Sequence, residues 1–308
     1  MNAAKHAATH AVALDLGGTD LKFARISRDG SVLEAGRTPS RAMAGADALL
    51  GVLSAAARRF AAGACGVGLG CPGVLDPLTG ALVDETPHLS LPRDFPLAER
   101  LARESGLAVH ADNDANLAAL GESLAGAAKG ARVSVTITVG TGVGCGIVAE
   151  GRVLRGAWGG AGEISHAALG GTGPACACGV PGCLEPLSGG EGLVLRAREA
   201  GLAAAGARDV FDAAAKGDSR AAALVEAMTG ALGRQIALVV QVVNPDVVVI
   251  GGGVANAGEA WLEAVRAAVR RCAQPSHLRG LRIVPALLGN RAGVVGAGLF
   301  AWRRLEGR

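Results

Sequence analysis

Between Gly162 and Glu185 the chain carries three cysteines and a histidine in a segment too broken by glycine and proline to form a long helix or strand. It reads Gly162-Glu163-Ile164-Ser165-His166, then Cys176, Cys178 and Cys183, then Glu185, punctuated by Gly171, Gly173, Pro174, Gly179, Pro181 and Gly182. Three thiolates and one imidazole close a tetrahedral shell of the kind structural zinc takes, and glycines let the backbone fold tightly round the ion. His166, Cys176, Cys178 and Cys183 are therefore the expected Zn2+ ligands. With the shell full, no position is left for water, so the ion is expected to shape the segment without doing chemistry, which argues against a zinc-dependent hydrolase. What it shapes is the space between two carboxylates, Glu163 and Glu185.

The competing reading is a disulfide or a set of buried thiols. Seven cysteines in all is an odd number, and without a secretory segment that points to a reducing compartment, where clustered cysteines bind metal more often than they pair. Cys65, Cys71, Cys145 and Cys272 are scattered through apolar segments and read as small core residues. Met1 to His10 holds no apolar run that would serve as a signal peptide. The longest apolar stretch, Leu238 to Val254, is broken by Gln241, Asn244, Pro245 and Asp246, so no membrane span and a cytoplasmic protein are expected. A net charge of +3 is too small and too evenly spread to argue for nucleic acid, and with no tyrosine there is no base-stacking platform.

The remaining pattern is alternating strands and helices. His10 to Leu16 and Leu21 to Ile26 read as strands joined by Gly17-Gly18-Thr19, a turn whose backbone N–H groups and hydroxyl can wrap a phosphate. Asp15, at the end of the first strand, is placed to hold Mg2+ through water beside such a phosphate. Arg132 to Val139 and Val143 to Val148 are joined by Gly140-Thr141-Gly142, a second hairpin of the same chemistry. Two such hairpins suggest two halves, each with a phosphate clamp. A buried strand, Asp246 to Ile250, ends in Gly251-Gly252-Gly253, bare backbone that leaves room for a ribose or a base. The strand Leu107 to His110 delivers Asp112-Asn113-Asp114-Ala115-Asn116 at the start of an Ala/Leu helix. Capping explains one such residue, but a cluster of them at a strand-to-helix junction opens on the cleft where α/β proteins bind ligands. Gly68-Leu69-Gly70-Cys71-Pro72-Gly73 matches a dinucleotide fingerprint, yet Val74-Leu75-Asp76-Pro77 cannot open the required helix, and no Walker motif occurs.

Asp15 to Thr19, Asp112 to Asn116, Thr138 to Gly142, Ala161 to His166, Cys176 to Glu185 and Asn244 to Gly253 together resemble the ROK family of sugar kinases and sugar-responsive repressors. The resemblance covers nearly the whole chain. It implies an α/β, two-lobed actin/hexokinase-like (ribonuclease H-like) fold with a structural zinc loop. A smaller lobe is expected over residues 1–114 plus 292–308, and a larger one with the zinc site over 115–291. By the same resemblance, Gly17, Gly18, Thr19, Gly140, Thr141 and Gly142 form phosphate-binding loops for ATP, with Asp15 counted among the cofactor-binding residues, and Gly251, Gly252 and Gly253 bind its adenosine. Asn113, Glu163, His166 and Glu185 hydrogen-bond the sugar, and Asp114 is the general base. His166 would use the ring nitrogen not on zinc. The partners implied are a sugar and ATP, with a homodimer as the family's common assembly.

This chain departs from the family at Asp20, a carboxylate beside the triphosphate, at Ser165, and at Pro87-His88-Leu89 near the sugar. A repressor would need a DNA-binding domain before the first strand, which starts near residue 10, so the kinase reading is preferred to a non-catalytic sugar-sensing regulator. Glucose is the expected acceptor, because Trp158 is bulky where an acetyl group would need space; N-acetylglucosamine or N-acetylmannosamine is the alternative.

Overall fold

The computed structural model of the protein describes residues 8–168 and 173–307; most of the N-terminal segment weighed as a leader, and Gly171, lie outside them. β1 (His10–Leu16) is buried at every position but one, as an apolar strand covered on both faces must be. It pairs antiparallel with β2 (Asp20–Ile26), which pairs antiparallel with β3 (Val32–Pro39). On its other side β1 runs parallel to β4 (Ala64–Cys71), and β4 parallel to β5 (Val109–Asn113), giving the order β3-β2-β1-β4-β5.

The second sheet repeats this plan. β6 (Val133–Val139), β7 (Val143–Ala149) and β8 (Arg152–Val153) form the meander, and β9 (Val247–Gly251) and β10 (Arg282–Pro285) add in parallel on the far side of β6. Its order is β10-β9-β6-β7-β8. Counted outward from β1 and from β6 the strands follow the same sequence, so the hairpins at Gly17–Thr19 and Gly140–Gly142 are topological equivalents.

The helices are α1 (Ala46–Arg59), α2 (Leu97–Ser105), α3 (Asp114–Ala125), α4 (Leu184–Ser188), α5 (Gly190–Glu199), α6 (Ala207–Ala215), α7 (Ser219–Val243), α8 (Glu259–Cys272) and α9 (Ala292–Leu305). α1 buries Leu49, Leu50 and Leu53 and leaves Arg58 and Arg59 in solvent, as its spacing requires. β4 ends at Cys71 with no helix behind it until α2, so the dinucleotide fingerprint is a turn into a loop. α4 and β8 are too short to carry a readable period and were not anticipated. α7 is long and apolar enough to cross a membrane by length and composition, but 56% of its most apolar window is buried inside the protein.

Two compact units emerge, Met1–Gly130 with Gly146–Ala161 and Arg291–Arg308, and Ala131–Cys145 with Gly162–Asn290. The first therefore runs past the expected boundary at residue 114, takes in Gly146–Ala161, and holds more residues than the second. The reason is α3, which packs along α9: a Cβ on Gly296 would overlap the Leu117 carbonyl, so a glycine there lets two backbones touch. Gly146 lies equally close to Ala115 and Ala119. Separating residues 115–125 from this unit would uncover the helix face that α9 buries.

Candidate active site

In the first unit Asp15, Gly70 and Asp112 stand in register across β1, β4 and β5. These strands are parallel, so their carboxyl ends coincide at the edge where open α/β sheets bind ligands. A Cβ on Gly70 would lie 3.6 Å from Asp114 Cα and 3.7 Å from Asp15 Oδ1, so the two acids flank one glycine. Lys22 Nζ donates to Asp15 Oδ2 at 3.1 Å, and the backbone of Gly293, in the first turn of α9, closes over the same carboxylate.

Asn113 caps α3, its Oδ1 accepting from the N–H groups of Ala115 (2.9 Å) and Asn116 (3.1 Å), while its Nδ2 donates to Gly73 O at 3.1 Å. One amide hydrogen of Asn113 is left over from these contacts. Asp114 Oδ1 accepts from Ala115 N–H at 2.8 Å. Capping thus accounts for Asn113 and leaves Asp114, the first residue of α3, beside Asp15. The Gly17–Thr19 hairpin is pinned from behind by Ser40, whose Oγ donates to Gly18 O and whose N–H donates to Thr19 O, so Gly18 and Thr19 remain exposed. Asp20 is ion-paired with Arg37, which holds its carboxyl below the usual aspartate range. Its charge is answered within the β2–β3 ladder.

In the second unit one ligand atom from each of His166, Cys176, Cys178 and Cys183 lies within 4.8 Å of the others. His166 Nδ1 stands 3.5 Å from Cys176 Sγ, and Cys178 Sγ 3.5 Å from Cys183 Sγ. Tetrahedral zinc, with ligand bonds near 2.0–2.3 Å, sets such pairs about 3.5–3.8 Å apart, so the donor set fits the ion. Because Nδ1 faces the thiols, Nε2 points the other way. Burial pushes the Cys183 thiol up to about 12, whereas Cys178 is lowered by the Val180 N–H, so filling the site must release protons.

Glu163 is exposed, yet the protein packed around it raises its carboxyl above the usual glutamate range, with His166 opposing the rise and Glu185 adding to it. Glu185, in α4 directly after the last cysteine, accepts the Val143 N–H at 3.2 Å through Oε2 and packs against Gly142. The cysteine loop and the Gly140–Gly142 hairpin are thereby tied together. That hairpin also receives the N–H groups of Gly190 and Glu191 on its carbonyls.

Gly252 has φ +86°, and a Cβ there would overlap the backbone of Val139, so the glycine is required both by conformation and by space. This sets Gly251–Gly253 against the end of β6, next to Gly140. A cavity of about 240 Å³ opens beside them, lined by Ile250, Ala255, Gly258, Trp261, Leu262 and Pro285, with Glu259 as its one charged residue. Sequence reasoning missed these lining residues, since α8 and β10 meet there only through the fold. Apolar walls beside an N–H-rich turn are what a planar heterocycle needs.

Two expectations are corrected. Trp158 is 76% exposed, so its ring is not packed as the wall of a closed pocket. Cys272, at the end of α8, is exposed and Cys65 only half-buried; Cys71 and Cys145 are the core thiols.

The chain belongs to the ROK family, whose profile matches residues 11–304. It is 38% identical to a glucokinase of Halalkalibacterium halodurans over 93% of both chains. An N-acetylmannosamine kinase of Salmonella typhi is 35% identical, over 94% of this chain and 97% of that protein. Among solved structures, a ROK hexokinase from Thermus thermophilus superposes with a TM-score of 0.84 at 37% identity, covering 97% of this chain and all of that one. A ROK glucokinase from Streptomyces griseus, in complex with glucose and AMPPNP, gives 0.81 at 27% identity, over 96% and 99% of the two chains.

Proposed function

We propose that this protein is an ATP-dependent hexose kinase that phosphorylates the 6-hydroxyl of glucose. The reading is carried by the Asp112–Asn116 turn at the carboxyl end of β5, which leaves the Asp114 carboxylate on the ligand-binding edge of the sheet. Asp114 accepts the proton of the sugar's 6-hydroxyl as that oxygen bonds to the γ-phosphorus and the bond to ADP breaks. The spare amide hydrogen of Asn113, the carboxylates of Glu163 and Glu185, and His166 Nε2 hold the sugar hydroxyls. His166 Nδ1 and the three thiolates would hold Zn2+, which when bound would fix that imidazole and so orient a sugar contact. The Gly17–Thr19 and Gly140–Gly142 hairpins hold the phosphates, Gly251–Gly253 and the cavity beside Trp261 the adenosine, and Asp15 is the anchor for Mg2+. That ion, when bound with the nucleotide, neutralises charge on the phosphates.

The likeness to the Halalkalibacterium halodurans glucokinase over nearly the full chain, and to a glucokinase crystallised with glucose and an ATP analogue, supports this choice. The exposure of Trp158 favours a second reading, an N-acetylmannosamine kinase, because it removes the steric argument against an acetyl group; the Salmonella typhi relative supports it too. A coupled ADP-release assay across hexoses, amino sugars and their N-acetyl forms decides. Glucose is expected to give the highest kcat/KM. An N-acetylated sugar exceeding it by about tenfold would transfer the assignment to the second reading, since a missing or added polar contact commonly carries that much discrimination.

A further inference from the structure

Asp112 is only 4% exposed, and its carboxylate is fully engaged. Oδ1 accepts from the Asn113 N–H at 2.8 Å and from Asn116 Nδ2 at 3.0 Å. Oδ2 accepts from Arg155 Nε at 2.7 Å and Nη2 at 2.6 Å. Arg155 comes from the segment after β8, far along the chain, and its guanidinium is seated 5.2 Å over the Phe300 ring of α9. One oxygen of Asp112 therefore holds the turn that carries Asp114, and the other is tied to a cation planted on α9.

The roles assigned to Asn113 and Asp114 use neither Asp112 nor Arg155. A helix cap needs no buried ion pair beneath it, and Asn113 already supplies the cap. A buried carboxylate needs a cation to stay ionised. With its charge, it offers acceptors on both sides at once, one for the turn and one for the guanidinium. Asn116 depends on it further: the amide is buried and its Oδ1 finds no partner among the described residues, so the bond from Nδ2 to Asp112 orients it.

We propose that Arg155 and Asp112 are positioning residues for phosphoryl transfer: the pair fixes the Asn113–Asn116 turn and through it the aim of the Asp114 carboxylate. The proposal rests on the kinase reading for its functional consequence, but not for its structural one. Arg155 acts through Asp112 and touches neither sugar nor nucleotide. Removing Arg155 alone strands the buried Asp112 carboxylate without its cation, a cost that opening the turn to water relieves. Replacing Asp112 by Asn in that background removes the stranded charge while keeping an Oδ1 acceptor for the Asn113 N–H and the Asn116 amide.

The test compares Arg155→Met, Arg155→Lys and the double variant Arg155→Met/Asp112→Asn, by steady-state kinetics and by hydrogen exchange of the Asn113–Asn116 amides. Arg155→Met should lower kcat by about tenfold or more, with KM for ATP changed less than about twofold, the pattern of a misplaced base rather than lost binding. Exchange across the turn should quicken in parallel. The double variant should recover most of the kcat and of the exchange protection, and Arg155→Lys, which keeps the charge without the fork, should fall between. Wild-type kcat and protection in Arg155→Met would overturn the proposal, and so would a double variant no better than the single one. If Arg155→Met does not fold, the same comparison is made between Arg155→Gln and Arg155→Gln/Asp112→Asn. Should the wild-type protein phosphorylate no hexose, the kinase reading fails by itself, and hydrogen exchange still reports on the pair.

Discussion

Asp114 and Asn113 stand side by side, yet their surroundings divide the labour. Asn113 spends its carbonyl on two backbone N–H groups, which makes it the cap, while Asp114 follows as the first residue of α3 with its Cα beside Gly70 at the strand ends. Asp114→Asn is therefore expected to leave the fold and sugar binding nearly intact and to lower kcat by about 10²-fold or more, the usual worth of a positioned base. Steady-state kinetics with a sugar-binding titration check this, and near wild-type turnover would make Asp114 a structural residue. Asp20 tests the opposite case, a charge that looks harmful and is neutralised locally. Arg37 reaches it diagonally from β3, where Pro39 is its direct register partner, so Asp20→Asn should change KM for ATP by less than about twofold, surface pairs being weak. A marked improvement in that KM would mean the carboxylate does repel the nucleotide.

At the scale of elements, the cysteine loop and the two glycine hairpins carry the site. The loop leads into α4, whose Glu185 reaches the Gly140–Gly142 hairpin, so the His/Cys cluster and that turn are braced together. Purified protein should hold about one zinc per chain, the stoichiometry of a closed four-ligand site. Cys183→Ser should lose the metal and most sugar affinity while circular dichroism stays close to wild type, because the unit keeps its own core of β6, β9, α7 and α8. Metal analysis showing no zinc in a fully active protein would remove the loop from the account of the sugar site.

Over the whole molecule, each compact unit is assembled from distant pieces of chain, and the first is completed by the C-terminal helix. α9 lies against α3 and β1, with Gly296 at the point of closest approach. Gly296→Val should destabilise the protein by about 1–3 kcal/mol or more, the range for forcing bulk into a filled core. The loss should appear in chemical denaturation; a variant as stable as wild type would show that α9 shifts freely.

Much of this protein is written in local chemistry. All the strands but the two-residue β8, the two Gly-Thr hairpins, the clustering of His166 with the three cysteines and the Asp112–Asn116 turn were legible because each depends on period, turn chemistry or short spacing. What the sequence could not settle were the partners of charges and the neighbours of helices. Arg37 answers Asp20 only through the register of β2 with β3, and Arg155 reaches Asp112 only when β8 and α3 fold into the same unit. α3 belongs with α9 because two backbones meet at a glycine, and Trp261 lines a cavity because α8 and β10 converge beside β9. Tertiary structure decided these points, since they turn on which surfaces exclude water together, and local period says nothing about the far side of a buried face.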